Sequence, residues 1–290
     1  MWTAHALDRL YRDVPAEARA ELLRFRQTHP LRQIDVAGTT WEYLACGRGV
    51  ETLLILPGLI GLAEMSFQHI LALEGEYRIL VPSYPFGLKD LGEMETGIAA
   101  ILDAEGVRRA HVLGGSYGGM VAQRFARRYP ERVARLVLSH TGGPKPERAA
   151  QSRRVVALFG LLPMGLLRAL LRAATRKSLQ AAPEHRAFWV AYSEEMIQHL
   201  TKADLIARYR LAVDFDATSA FTPDDLKDWP GRILILEGDD DPVAEAPARA
   251  ALKALHPQAR VHTFHGAGHV ASIARLDEYV AVIRQFLREA

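Results

Sequence analysis

The stretch His111–Met120, HVLGGSYGGM, places one serine among four glycines directly after a short apolar run. The residues AHVLGG are typical of a buried strand, and the residues MVAQRFARRYP that follow have helical spacing and end at a proline. Ser116 therefore lies where a strand passes into a helix, within the pattern G-x-S-x-G. In that setting the pattern predicts a tight turn that exposes the serine hydroxyl. The stretch alone leaves open a plain glycine-rich bend.

Apolar runs of the same kind recur along the chain. TLLILPG, YRILVPSYP, VARLVLSH and GRILILEG are continuous, RVHTFHG is weaker, and LRQIDVAGTTWEYLACG predicts two strands joined at Ala37-Gly38. Helical patterns lie between these runs, at residues 62–73, 90–105, 117–128, 245–255 and 272–287. Strands that alternate with helices predict an α/β fold whose mostly parallel, eight-stranded sheet has helices on both faces.

The alternation stops after the sixth strand. Residues 144–222 have helical patterns without a buried strand, so we predict a helical cap there, and a core of residues 1–143 and 223–290 with a helical extension at 1–28. The cap's stretch FGLLPMGLLRALL predicts a leucine- and methionine-lined wall for an acyl chain, or helices that simply pack on the core. Lys145 to Lys177 is strongly basic and Glu184 to Asp228 mainly acidic. These charges fit two solvated helix faces, or a surface for anionic head groups or a partner.

Composition narrows the class of protein. The 290 residues carry a formal net charge of only +2, which gives no indication of a nucleic-acid partner. The one cysteine, Cys46, cannot form an internal disulfide, so we expect a reducing, cytoplasmic location and a structural role for the thiol. The first 25 residues lack the apolar core of a signal peptide. Glycine, proline and arginine interrupt the apolar stretch 155–173, so we expect no stable membrane insertion, while a homodimer stays open.

A serine hydroxyl needs a base, and that base needs a carboxylate to orient it, before it acts as a nucleophile. The run GRILILEG ends in three aspartates, Asp239, Asp240 and Asp241, and the loop HTFHGAGHVASI carries His269 just before the last helix. Loops at the carboxyl edge of a parallel sheet concentrate function, so one aspartate and His269 are the candidate partners of Ser116. The aspartates could instead form a solvated turn or cap a helix.

The other two parts of the prediction concern metals and the oxyanion. His265 and His269 are separated by a strand end and a Gly-x-Gly loop, without a carboxylate-rich cluster, so we expect no metal. A serine, its two partners and an oxyanion hole suffice for acyl transfer, so we expect no cofactor either. Acyl transfer builds negative charge on the carbonyl oxygen, which two backbone N–H groups can stabilise. We predict Tyr117, directly after the serine, as one donor, and Leu59, in the loop that Gly58 allows to turn after TLLILPG, as the other.

Together these motifs resemble the α/β-hydrolase family. The similarity covers nearly the whole chain, through Pro57-Gly58-Leu59, Gly114 to Gly118, Gly238 to Val243 and Gly268-His269. In that family the acid commonly stands last in G-x-x-D, which implies Asp241. The stretches FRQTHPLRQI, FQHILALEGEYRILVPSYP and GGSYGGMVAQRFA are more closely similar to maspardin-like proteins, which are regarded as interaction proteins with doubtful catalysis.

The ordered set of residues predicts a serine hydrolase that cleaves carboxylic esters with short to medium acyl chains. Ser116 is the predicted nucleophile, His269 the base and Asp241 the acid, and a small-molecule ester is the expected substrate. One alternative is a maspardin-like interaction scaffold in which these residues are unproductive. The other is a peptidase, thioesterase or acyltransferase, which the elbow GGSYGG does not exclude.

Overall fold

Eight strands form one sheet in the computed structural model, which describes residues 4–289 and only the backbone of residues 4–6. Their order across the sheet is β1-β2-β4-β3-β5-β6-β7-β8. Strands β1 and β2 pair antiparallel, as do β2 and β4, and all other neighbours are parallel. The strands are β1 Arg32–Val36, β2 Thr39–Cys46, β3 Thr52–Leu56, β4 Arg78–Ser83, β5 Ala110–Gly115, β6 Val133–Ser139, β7 Arg232–Gly238 and β8 Arg260–Phe264. The predicted fold class is confirmed.

Twelve α-helices surround this sheet within the described residues. They are α1 Ala4–Leu10, α2 Ala16–Thr28, α3 Phe67–Leu73, α4 Leu91–Ala104, α5 Tyr117–Arg128, α6 Pro146–Leu161, α7 Met164–Ser178, α8 Arg186–His199, α9 Lys202–Thr218, α10 Ala246–Leu255, α11 Ala271–Ala274 and α12 Leu276–Arg288. The predicted helix 272–287 is two helices, because Arg275, with φ −136° and ψ 44°, leaves the helical region. The predicted helix 62–73 begins as a 3₁₀ turn at 63–66 before α3.

The continuous apolar strands are explained by burial on both faces of the sheet. All five residues of β3 are buried. Leu53 and Ile55 face the core cluster that also contains α3 and α12, whereas Leu54 and Leu56 face the cluster of α4 and α5. Because side chains of a strand alternate between faces, a strand covered on both sides has no polar positions.

The residues of the predicted cap contain α6 to α9, which lie between β6 and β7. Helix α6 packs against α9, and α7 packs against α8. The division into a core and a cap domain stays a prediction. Across the described residues, no helix is long and apolar enough to cross a membrane.

The N-terminal extension contains α1 and α2, and residues 1–3 of the predicted segment lie outside the described residues. A partly buried polar network ties it to α8 and to the turn that precedes α3. The Tyr11 hydroxyl donates to Glu195 over 2.5 Å. Arg26 donates to Glu64 over 2.7 and 2.9 Å and lies 3.0 Å from Glu195. The extension therefore holds α8 and the residues after the β3 loop together.

Candidate active site

Ser116 occupies a strained turn between β5 and α5. Its φ of 51° and ψ of −115° are unfavourable for a residue with a side chain. Two glycines allow the close approach of strand and helix. A Cβ on Gly118 would lie 2.0 Å from the carbonyl oxygen of Leu56, and one on Gly114 would lie 2.4 Å from the carbonyl oxygen of Gly118. The turn therefore has the tight geometry that the sequence predicts around Ser116, since only glycine fits at these two positions.

The structure brings Ser116, His269 and Asp241 into one hydrogen-bonded chain. His269 Nε2 lies 3.0 Å from Ser116 Oγ, and His269 Nδ1 lies 2.8 Å from Asp241 Oδ2 and 3.0 Å from Oδ1. An ionised carboxylate can only accept, so Nδ1 carries the proton and Nε2 is left to accept from the serine hydroxyl. That is the arrangement in which an imidazole can remove the serine proton.

The three consecutive aspartates after β7 each accept hydrogen bonds from a different part of the loop 265–269. Asp239 accepts from the ring of His265 and from the amide of Gly266, and Asp240 accepts from the amide of Gly268. Only Asp241 reaches His269, and it is 4% exposed, whereas Asp239 and Asp240 are exposed. The loop geometry thus separates three residues that local pattern alone does not distinguish.

Asp241 is held ionised by its surroundings. Burial would raise the pKa of its carboxyl, but hydrogen bonds from His269 and from the amides of Val243 and Ala244 outweigh burial and keep that pKa below its usual value. Both amides donate to Oδ1, over 2.8 and 2.9 Å. These two bonds also fix the rotation of the carboxylate, so that Oδ2 is turned towards His269.

A second histidine, His140, lies beside the first. Its ring is 5.9 Å from that of His269 and perpendicular to it, and its Nδ1 is 2.9 Å from Ser139 Oγ. Burial, followed by the proximity of His269, lowers the pKa of His140 to about 4. His140 is therefore neutral at neutral pH and adds no positive charge next to the candidate base.

The predicted oxyanion donors lie on the two loops expected. Leu59 follows β3 and contributes to the wall of the cavity at Ser116, while Tyr117 is the first residue of α5, with its ring buried in the core. Neither amide donates to a carbonyl of a loop or turn in the part of the chain that the structure describes. The turn after β3 runs from Gly58, whose carbonyl oxygen accepts from the amide of Gly61 over 2.9 Å, to Gly61, which has a φ of 70°. The role of Gly58 in this turn stays a prediction.

A cavity of about 440 Å³ opens at Ser116 and His269. One side is formed by the loops of the sheet and the other by helices α7, α8 and α9. Of the stretch FGLLPMGLLRALL, which predicted an apolar wall here, only Leu171 lines the cavity. Leu161, Leu166 and Leu170 are exposed on the outside of α6 and α7, so that interpretation of the stretch is wrong.

The cavity contains one cation that the sequence does not reveal as functional, Arg208 of α9. It is 2% exposed, and its Nη2 donates to the carbonyl of Tyr84 over 2.6 Å. Its Nε and Nη1 are buried and have no hydrogen-bond partner among the described residues. The spacing of Leu205, Arg208 and Leu211 on one helical stripe is a signal that could have identified a buried cation.

Arg208 has donors available for a bound group. Burial lowers the pKa of the guanidinium, yet an arginine stays charged at neutral pH. The rings of Tyr84 and Phe86, at 5.2 and 5.3 Å from the guanidinium carbon, offset part of the cost of burying this cation. Arg208 is therefore a candidate partner for an anionic group at the Ser116 cavity, which could offset more of that cost through charge-assisted hydrogen bonds.

One group of ligand-type side chains lies elsewhere. Atoms of His29, Cys46 and Glu74 lie within 4.8 Å of one another, and His29 Nε2 is 2.8 Å from Glu74. Burial and then Glu74 raise the pKa of the Cys46 thiol to about 12. The hydrogen bond between His29 and Glu74 joins the ends of α2 and α3.

Comparisons with known proteins identify the fold. A family model described as alpha/beta hydrolase fold matches residues 51–275. A 2-hydroxy-6-oxononadienedioate/2-hydroxy-6-oxononatrienedioate hydrolase of Burkholderia vietnamiensis is 26% identical over 272 residues, covering 85% of this chain and 90% of that protein. Maspardin of Danio rerio is 27% identical over 274 residues, covering 91% and 85%. The structure of a hydrolase from Pseudomonas aeruginosa superposes with a TM-score of 0.76 at 24% identity, covering 89% of this chain and 98% of that one.

Proposed function

This chain belongs to the α/β-hydrolase family, and on that premise we propose that it is a serine hydrolase that cleaves carboxylic esters with short to medium acyl chains. The observation that carries the proposal is the chain of hydrogen bonds from Asp241 through His269 to Ser116 at the wall of a cavity. Nucleophile, base and orienting acid have the separations that acyl transfer requires.

The reaction proceeds in two halves. Ser116 Oγ attacks the acyl carbon while its proton passes to His269 Nε2, and the imidazolium that forms is stabilised by Asp241. The amides of Leu59 and Tyr117 donate to the oxyanion. His269 then returns the proton to the leaving alcohol as the ester bond breaks. Water attacks the acyl-enzyme with His269 again as base, which releases the acid and restores the Ser116 hydroxyl.

We infer further that the preferred ester carries a carboxylate. Arg208 lines the same cavity as Ser116 and has two buried N–H groups without partners in the described chain. The compounds for which the Burkholderia vietnamiensis relative is named, 2-hydroxy-6-oxononadienedioate and 2-hydroxy-6-oxononatrienedioate, are dicarboxylates. Both observations support a substrate with an anionic group bound at Arg208.

Carbon–carbon hydrolysis is the second candidate, favoured by that same name. It describes a 6-oxo compound with no ester, so hydrolysis of such a molecule would transfer an acyl group away from carbon instead of oxygen. In this variant Ser116 would attack the ketone carbon, and protonated His269 would give its proton to the carbon that leaves. A comparison of p-nitrophenyl esters, from acetate to decanoate, with a 2-hydroxy-6-oxo-dienoic acid distinguishes the two bonds.

Labelling with a fluorophosphonate tests the shared part of both candidates. We expect the wild type to be labelled and Ser116→Ala to be unlabelled. Ser193→Ala is the matched control, because Ser193 lines the same cavity without contacting His269, and it should be labelled like the wild type. Absence of labelling and of turnover in the wild type would contradict the proposal and favour the maspardin-like scaffold.

The role of Arg208 has its own test. For p-nitrophenyl hemisuccinate we expect Arg208→Met to lower kcat/KM by about 10- to 150-fold, since hydrogen bonds to a charged group contribute about 1.5–3 kcal/mol. For the neutral butyrate ester the same change should have less than about a twofold effect. Equal losses on both esters would show that Arg208 supports the loop around Tyr84 and does not bind substrate.

A further inference from the structure

Exposed apolar side chains are concentrated on helices α6 and α7. Of the eleven large apolar residues exposed in the described chain, five lie on this pair: Val155, Leu158, Leu161, Leu166 and Leu170. Leu161 is 81% exposed and Leu158 is 58% exposed, at the end of α6 next to the link to α7. A soluble protein normally scatters such residues singly, and a cluster marks a contact surface.

The same two helices are the most basic part of the chain. Residues 145–177 contain eight Lys or Arg and one acidic residue, Glu147, which gives this segment a net charge of +7. Among the residues that the structure describes, Arg172 is the one member of this segment in an ion pair, with Glu194 of α8. Five basic side chains are exposed and form no salt bridge within the described residues: Arg148, Arg153, Arg154, Arg176 and Lys177. We call α6, α7 and their link the basic helix pair.

Within α7 the exposed and the cavity-lining residues occupy different faces. Leu166, Leu170 and Lys177 follow one another at helical spacing on the outer face. Leu171, Thr175 and Ser178 line the cavity from another face, and Ala174, one turn after Leu170, lies between the two. Leu166 and Leu170 therefore do not face the interior, because other residues of α7 form the side that faces the cavity.

We propose that the basic helix pair docks on the surface of an anionic phospholipid bilayer. The leucines at the end of α6 and the start of α7 enter the boundary between head groups and acyl chains, and the unpaired arginines and lysines contact lipid phosphates. This combination of an apolar stripe with flanking cations is what a helix lying in the membrane interface requires. The helices contain 16 and 15 residues and lie on the bilayer without crossing it.

Charge decides between this occupant and the others that an exposed apolar face could bind. An isologous dimer through the basic helix pair would place one surface of net charge +7 against another, which is repulsive. A nucleic acid would satisfy the charge, but it offers no apolar environment for Leu158 and Leu161. An anionic bilayer satisfies both the cations and the leucines.

Docking goes beyond the proposed ester hydrolysis and does not depend on it. It would nevertheless bring α7, one wall of the cavity, to the membrane surface. Ser116→Ala separates the two ideas, because this variant should bind vesicles like the wild type even though it lacks the candidate nucleophile.

Vesicle sedimentation with the full chain tests the proposal. We expect binding to phosphatidylcholine vesicles that contain about 30 mol% phosphatidylglycerol and none to phosphatidylcholine alone. Binding should weaken between about 0.05 M and about 0.5 M salt, as the charges are screened. The double variant R153Q/R154Q should lower the partition coefficient about thirty-fold, which corresponds to about 1 kcal/mol for each basic residue near the surface.

The apolar contribution needs a matched control. Leu158→Gln with Leu161→Gln should reduce vesicle binding at least about tenfold. Leu31→Gln with Val50→Gln changes two residues that are also exposed but lie outside the basic helix pair, and should bind like the wild type. All three double variants should hydrolyse a soluble ester at the wild-type rate, since none of their altered side chains lines the cavity.

Three results would overturn the proposal. The first is absence of binding to anionic vesicles. The second is binding that the two leucine substitutions leave unchanged, which would indicate a general polyanion surface. The third is a dimer in sedimentation velocity that the leucine substitutions dissociate, which would assign the exposed face to a second copy of the chain.

Discussion

The exchange Asp241→Asn tests the tautomer argument at the candidate site. Oδ1 of Asp241 accepts from the amides of Val243 and Ala244, so the oxygen of an asparagine must take that position. Its NH₂ group then occupies the position of Oδ2, 2.8 Å from His269 Nδ1, and donates. His269 Nδ1 must become an acceptor, which moves the ring proton to Nε2. In that tautomer Nε2 cannot accept the proton of Ser116.

The structure sets the size of the effect. Flipping the asparagine would restore the productive tautomer but would leave the amides of Val243 and Ala244 without their acceptor. Each unsatisfied group costs about 1–3 kcal/mol, so the flip costs about 2–6 kcal/mol and kcat should fall about 30-fold to about 10⁴-fold. The folded state should be little affected, because the asparagine oxygen keeps both backbone hydrogen bonds.

The matched control is Asp241→Ala. It forces no tautomer on His269, but it removes the acceptor of two amides. We therefore expect the alanine variant to be less stable in urea than the asparagine variant, yet more active for each folded molecule. The assay is kcat on p-nitrophenyl butyrate with fluorophosphonate labelling to count active sites. An asparagine variant within about threefold of the wild type, well short of the loss expected from the unmade hydrogen bonds, would refute the reasoning.

Three further predictions concern stability and are measured by urea unfolding. Gly118→Ala should lower the free energy of unfolding by about 1–3 kcal/mol, because its Cβ would meet the Leu56 carbonyl at 2.0 Å. Gly115→Ala, whose Cβ meets nothing within 4 Å, should unfold like the wild type, and equal losses would contradict the steric reason. Burial lowers the pKa of His256 to about 4, so below about pH 6.5 the unfolded chain binds a proton that the folded one does not. The free energy of unfolding therefore falls as the pH drops towards 4. In His256→Gln, the decrease between pH 7 and pH 5 should be smaller by about 2 kcal/mol. An unchanged pH dependence would show that His256 does not cause the decrease. Glu195→Gln should cost about 2 kcal/mol, because it removes the negative charge that pairs with the Arg26 guanidinium, and an unaltered midpoint would mean that the N-terminal helices are held by apolar packing alone.

Much of the fold follows from local pattern. The continuous apolar runs predict the strands because a strand covered on both faces has no place for polar residues, and each run lies in a strand of the sheet. The elbow at Ser116 is equally local, since glycines and a serine between a strand and a helix allow few other conformations. The prediction of one helix at 272–287 was wrong in detail, because no glycine or proline marks the break at Arg275 in the sequence.

Other features depend on contacts between distant parts of the chain. Which of three adjacent aspartates faces His269 is settled by loop packing, and local pattern is the same for all three; family resemblance was needed to select Asp241. Arg208 is an ordinary helical residue until α9 is placed over the cavity.

The leucines of α6 and α7 are a case in which the sequence pattern predicted the wrong surroundings. Their pattern predicted a wall of the cavity, whereas packing against α8 and α9 leaves them exposed. Periodicity in a sequence shows that a helix has an apolar side, and so it determines strands, helices and the serine elbow here. Which surface that side meets, and which charges share a cavity, is decided by the tertiary structure, because those contacts join residues far apart in the chain.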